Sequence, residues 1–201
     1  MYTRLLIKVT SLDSAPVWLR PWIEFEREAV ALKSYQPLVV PGLLQTEAYA
    51  RALLSAGFLT PSQLDQQVQA RLDRQAVLSA DHPPLFIAVL DVAVLRREIG
   101  GPDVMREQLA HLVKMAEQPN VNIHVVPASA GAYLGLAGPF AIATLPGNRD
   151  VAYLDNQLQG VVVDRPGELL AIREAWEAVR GSALPHRQSI ELIKEVAEIW
   201  T

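Results

Sequence analysis

The chain has 201 residues, 50% hydrophobic and 20% charged, and its 18 Lys+Arg against 22 Asp+Glu give a net charge of −4. That composition is ordinary for a globular domain; it excludes a fibrous or disordered chain, and its mild acidity offers no global field for phosphate backbones. The absence of cysteine removes disulfides, thiol nucleophiles and thiolate metal sites.

Residues 1–17 read as an extended lead-in, interrupted at Pro16, and residues 18–201 as a single domain. No apolar run approaches the roughly 20 residues that a spanning helix needs. The first ten residues, with Arg4 and Lys8 flanking a short apolar core, make a poor signal peptide, so a cytoplasmic protein without membrane contact is expected. From Trp22, the apolar positions Trp22, Phe25, Ala29 and Leu32 predict one amphipathic helix, with Glu24, Glu26, Arg27 and Glu28 on its solvated face, broken near Tyr35-Gln36-Pro37. A second helix is expected from Thr46, with Tyr49 and Ala50 inward. Thr60-Pro61-Ser62-Gln63 is a capping box opening a third over Leu64, Val68, Leu72 and Ala76. The first eighty residues are thus expected to be helical.

At Leu85–Leu90 the period changes to a continuous apolar run, the signature of a strand covered on both faces. A helix follows from Gly101-Pro102 through Met105, Leu109, Leu112 and Ala116, and then a strand over Val121–Val126, which together make a βαβ unit. Ligands of such sheets favour the carboxyl ends of parallel strands, placing the expected site near Asp91 and Pro127. Ala128–Gly138 has three glycines and Tyr133 and reads as a loop covering or lining a site. Phe140–Leu145 and Val151–Leu154 flank Pro146-Gly147-Asn148, a hairpin signal, and Gly160–Val163 is a further strand. Two helices end the chain, one with Leu169, Ile172, Trp176 and Val179 on its stripe, the other with Ile190, Ile193, Val196 and Trp200. The fold expected is α/β with an α+β tendency: N-terminal helices, a mixed sheet of about five strands and two C-terminal helices.

Standard catalytic motifs are absent. The four histidines, His82, His111, His124 and His186, lie in separate segments without metal-ligand spacing, and neither a metal nor a cofactor is expected. His124 faces away from Ile123 and Val125, either toward a pocket or simply satisfied by a hydrogen bond. Asp91, at a strand end, either binds a ligand group or caps the helical turn at Val92. Arg71 and Arg74 share a helix face that either holds an anion or pairs with Asp65 and Asp73, and Arg96-Arg97 offers guanidinium forks past the strand end. Trp22 and Trp176 are expected in the core, whereas Trp18 and Trp200 either pack at the termini or anchor a partner.

The most distinctive segment is Tyr35-Gln36-Pro37-Leu38-Val39-Val40-Pro41-Gly42-Leu43-Leu44-Gln45-Thr46-Glu47-Ala48-Tyr49-Ala50-Arg51. With Arg71-Leu72-Asp73-Arg74-Gln75, Leu90-Asp91, Leu95-Arg96-Arg97, Gly138-Pro139-Phe140 and Val151-Ala152-Tyr153-Leu154, it resembles the large C-terminal domain of WhiJ-type actinobacterial regulators over about residues 18–200. The resemblance implies an antitoxin-like regulatory module that normally follows a helix-turn-helix and takes a small-molecule effector or a small partner protein. The lead-in is too short for that DNA reader, so direct nucleic-acid binding is not expected. The resemblance implies Gly42, Gln45, Thr46, Tyr49, Arg71, Arg74, Arg96 and Tyr153 as contacts around one cleft, and a homodimer is compatible with it. The competing expectation is a regulator-derived enzyme without cofactor, recruited into a biosynthetic pathway, in which Asp91, His124 and Tyr133 line a pocket and catalyse a proton-transfer or cyclisation step on a hydrophobic metabolite. A purely structural role for the Pro-Gly-Leu-Leu-Gln-Thr segment, with Gly42 in a tight turn and Gln45 tying backbone groups, is the third.

Overall fold

A computed structural model describes residues 19–155 and 160–200, so the lead-in and Trp18 lie outside the described residues. The stripe predicted as one helix folds as two elements. Helix α1 (Arg20–Glu28) ends where Ala29 turns extended, and Ala31–Gln36 is a strand, β1. Trp22, Ala29 and Leu32 still enter one core cluster, so the spacing identified the buried residues but not their backbone. What decides β1 is its position: it pairs parallel with β2 (Leu85–Asp91) and antiparallel with β4 (Phe140–Leu145), so its N–H and C=O groups are consumed on both sides. The expectation of eighty helical residues is therefore corrected, because long-range ladder bonds override a local helical period.

The remaining strands agree with the expected runs. β3 (Val121–Val126) lies parallel to β2, and β4, β5 (Arg149–Leu154) and β6 (Val161–Val163) form an antiparallel meander. The mixed sheet has six strands in the order β3-β2-β1-β4-β5-β6, one more than expected. Gly147 and Asn148 take positive φ in the β4–β5 hairpin, as its turn requires.

Seven α-helices occur among the described residues: α1, α2 (Glu47–Leu54), α3 (Pro61–Gln75), α4 (Val92–Arg96), α5 (Pro102–Met115), α6 (Pro166–Gly181) and α7 (His186–Ala197). Thr46 caps α2, and Thr60 with Gln63 forms the capping box of α3. The sheet has two buried faces. One packs Phe86, Ala88, Leu90, Ile123 and Val125 against residues of α1, α2, α5 and α7. The other packs Tyr35, Val89 and Ile142 against Leu169, Trp176 and Val179 of α6. Trp22 and Trp176 are both core, and Trp200 packs at the C-terminal end, its Nε1 donating to the Leu95 carbonyl at 3.1 Å.

The free edge of β3 is covered by the segment entering α7. The Val125 amide donates to Ser189 Oγ (2.9 Å), the Leu184 amide to the Val125 carbonyl (2.9 Å) and the Ile123 amide to His186 Nδ1 (3.2 Å). Side chains thereby complete a ladder that would otherwise invite another strand.

Candidate binding cavity

The cavity is built by the distinctive segment. Gly42–Leu44 forms a single 3₁₀ turn, and the chain around it is held from several directions. Gln45, 2% exposed, donates through Nε2 to the Val40 carbonyl at 2.6 Å. The Tyr49 hydroxyl accepts the Val40 amide (3.2 Å), and Gln75 Nε2 donates to the Gly42 and Gln45 carbonyls at 2.9 and 2.7 Å. From α5, Gln108, fully buried, accepts the Thr46 amide at 2.8 Å and donates to the Leu44 carbonyl at 2.7 Å. Thr46 and Tyr49 are thus structural members of this turn, not lining groups. Gly42 does not have positive φ, so no conformational demand for glycine accompanies the turn.

Between this turn, α1, α3 and the sheet lies a cavity of about 410 Å³. Leu32 and Ser34 of β1, Phe86 of β2, Ala141 of β4 and Tyr153 of β5 line it from the sheet, and Ser34, Ala141 and Tyr153 stand in register across three strands. Trp22 of α1, which stacks on Tyr153 with centroids 5.3 Å apart, adds an aromatic wall. Volume and mixed lining are those of a small-molecule site.

Both predicted arginines of α3 line this cavity, and neither pairs with Asp65 or Asp73. Asp65 pairs with Arg51, and Asp73 accepts from Gln69. Arg74 forks onto Glu26 with Nε to Oε1 at 3.0 Å and Nη2 to Oε2 at 2.8 Å, in a pair whose side chains are 14% and 5% exposed. Burial works against the Arg74 charge, but the Glu26 carboxylate and its hydrogen bonds outweigh this and hold its pKa above the usual value. Glu26 was expected on a solvated face; its placement four residues after Trp22, one turn along the same side, was the signal that it is buried. Arg71 donates from Nη1 to Gln45 Oε1 at 2.7 Å, a neutral acceptor. Burial, reinforced by the Arg74 charge, pushes Arg71 down to about 10, with Asp155 and Tyr49 opposing.

Tyr153 is 7% exposed, and its hydroxyl is buried without a hydrogen-bond partner among the described residues. Burial and the nearby Asp155 raise its pKa, against Arg74, so the hydroxyl stays a donor. A Cβ at Gly160 would run into this hydroxyl, which fixes how closely the chain after β5 covers the ring.

Of the expected contacts, Gly42, Gln45, Arg71, Arg74 and Tyr153 converge on the cavity, whereas Arg96 is exposed elsewhere. Neither Asp91 nor Pro127, near which the site was expected, lines this cavity, which lies on the opposite sheet face beside β1. Asp91 caps α4, accepting the Ala93 amide at 2.8 Å, and its other oxygen accepts from the Tyr133 hydroxyl at 2.5 Å. Tyr133 has one proton and gives it to Asp91, so the 2.7 Å contact between the Tyr35 and Tyr133 hydroxyls has Tyr35 as donor. The Ala128–Gly138 loop is therefore pinned to a strand end rather than folded over the cavity. Gly135 is required here, because a Cβ would collide with both tyrosine rings. Burial and these hydrogen bonds raise the Tyr133 pKa far above that of a usable base. His124 uses Nδ1 on the Leu184 carbonyl at 3.0 Å, the satisfied-histidine arrangement, and its ring lies 6.2 Å from that of His186. Among the described residues no group of three or more His, Asp or Glu side chains is arranged to hold a metal, and no helix is long and apolar enough to cross a membrane.

No curated protein and no solved structure matches the chain. One family matches residues 19–195, a span that takes in the whole sheet and all the α-helices but the last turn of α7, and the chain therefore belongs to the family described as Domain of unknown function (DUF5753).

Proposed function

We propose that this chain is a signal-sensing domain of an antitoxin-like, WhiJ-type actinobacterial transcriptional regulator, and that a small effector occupies the cavity between α3 and the sheet. The observation that carries this reading is the coincidence of two things. The residues on which the regulator resemblance rests, Pro41, Gly42, Leu43 and Gln45 with Arg71 and Arg74, also form a wall of the cavity. A ligand seated there lies against α1, α3 and four strands at once, so its arrival changes the relative stability of packed elements that an attached or associated module can read.

Native mass spectrometry of the full chain purified from its own host tests this. A retained small molecule at one per chain, released on unfolding and missing from an Ala141→Phe variant that fills the cavity, is the expected result. A chain that carries no such mass but co-purifies with a stoichiometric small protein overturns the effector reading in favour of a partner surface.

A further inference from the structure

Resting on the sensing reading, we propose the chemical class of the effector: an amphipathic monocarboxylate whose carboxylate sits on the Arg71 guanidinium and whose apolar body lies along Trp22, Leu32 and Phe86.

The cavity brings two guanidinium groups together, and they are not equivalent. Arg74 is matched by Glu26 in a two-point fork. Arg71 makes no ion pair among the described residues, and its hydrogen bond to Gln45 engages one of five N–H donors. A partly buried cation with no carboxylate in hydrogen-bond contact is costly unless something supplies that partner. The planar fork of arginine suits a carboxylate, which takes two parallel hydrogen bonds. Gln45 fixes the fork: its Nε2 is committed to the Val40 carbonyl, so its Oε1 is oriented to hold Nη1. Arg71 is thereby presented by the most distinctive segment of the sequence instead of hanging free in solvent.

A second, independent observation points the same way. The Tyr153 hydroxyl is a buried donor on a lining residue with no acceptor among the described residues. An acidic ligand supplies acceptors to both groups. Asp155, also on the lining, acts electrostatically on Arg71 and Tyr153, and its negative charge disfavours a dianion such as a phosphate monoester. Arg71, with no carboxylate in hydrogen-bond contact, and Asp155 near it together suit a head group of one negative charge rather than two. Beside the polar Ser34, Gln36 and Gln67, the lining includes Leu32, Val39, Leu53, Leu54 and Phe86, an apolar wall that suits a hydrocarbon or aromatic body.

The experiment is titration calorimetry on the full chain with three probes of equal length: octanoate, octan-1-ol and octylammonium. Octanoate is expected to bind about 10-fold or more tighter than octan-1-ol, the scale of a hydrogen bond to a charged group, with octylammonium weakest. Arg71→Met is expected to abolish the preference for octanoate while leaving octan-1-ol within about twofold, and Tyr153→Phe to weaken octanoate several-fold. Should Arg71→Met not fold, Arg71→Lys, which keeps the charge and loses the fork, is expected to lose part of the preference. Octanoate binding no tighter than octan-1-ol, or a preference that survives at Arg71→Met, overturns the carboxylate assignment and leaves the cavity a binding site. No probe binding to a chain that still retains a native ligand overturns this class and spares the sensing reading. No probe binding and no retained ligand removes both.

Discussion

Breaking the Glu26–Arg74 pair is the sharpest test of how the cavity wall is held. Glu26→Leu leaves the Arg74 guanidinium, 14% exposed, without its fork and beside a second guanidinium, Arg71, whose charge it already disfavours. Removing one partner of a buried pair costs about 3–5 kcal/mol, because the survivor remains desolvated and unmatched. For a chain of this size each kcal/mol moves Tm by about 2–4 °C, so a fall of about 6–20 °C is expected. Arg74→Met should cost a similar amount, leaving a carboxylate at 5% exposure. The double variant Glu26→Leu/Arg74→Met removes both charges and both desolvation penalties and should lie within about 1–2 kcal/mol of the wild type. Urea unfolding of the four proteins gives the coupling energy, expected to exceed about 2 kcal/mol. A single variant losing less than about 1 kcal/mol, or a double variant as unstable as the two singles added, would refute the buried-pair argument.

Gln108→Leu should cost about 2–5 kcal/mol by urea unfolding, since it strands the Thr46 amide and the Leu44 carbonyl where no water reaches. Tyr133→Phe removes the hydroxyl that donates to Asp91 and accepts from Tyr35; it should cost about 1–3 kcal/mol and speed proteolysis within residues 128–138, and unchanged proteolysis would argue against the pinned loop. Burial holds both His124 and His111 below the usual value of 6.5, Lys114 adding to the shift at His111 and the Leu184 hydrogen bond opposing it at His124. Between their folded values and 6.5 the unfolded chain binds more protons, so stability rises with pH across that window and falls on acidification through it. Urea midpoints from pH 8 to 5 should show this slope, and His111→Gln/His124→Asn should flatten it; an unchanged slope would assign it to other groups. Thr60→Ala, which opens the α3 capping box, should cost about 0.5–2 kcal/mol in the same assay.

The elements that the sequence announced are those with local punctuation. Thr46 and Thr60 start helices because a side-chain oxygen satisfies the first free amides, and Pro146-Gly147-Asn148 turns a hairpin because Gly147 and Asn148 accept positive φ. The β2–α5–β3 crossover was readable because a continuous apolar run gives way to a helical period of about 3.6 and then to the alternation of Val121, Ile123 and Val125 with Asn122 and His124. No such mark separates α1 from β1. Ala29 and Leu32 continue the helical spacing, no glycine or proline intervenes, and only pairing with chain some 50 and 110 residues away makes the segment extended.

The site divides in the same way. The sequence by itself determined the turn at Gly42–Leu44, its glutamine tie, and the two arginines spaced to share one helix face. Which arginine is neutralised was decided by tertiary structure alone, when α1 brought Glu26 onto Arg74 and left Arg71 with a neutral amide. The fate of Asp91, His124 and Tyr133 was decided there too, each hydrogen-bonded to a neighbour distant in the chain and set away from the cavity. Hydrogen-bond type and local period are written in nearest neighbours, whereas charge matching in a buried wall depends on which elements cross, and that is fixed only when the whole sheet closes.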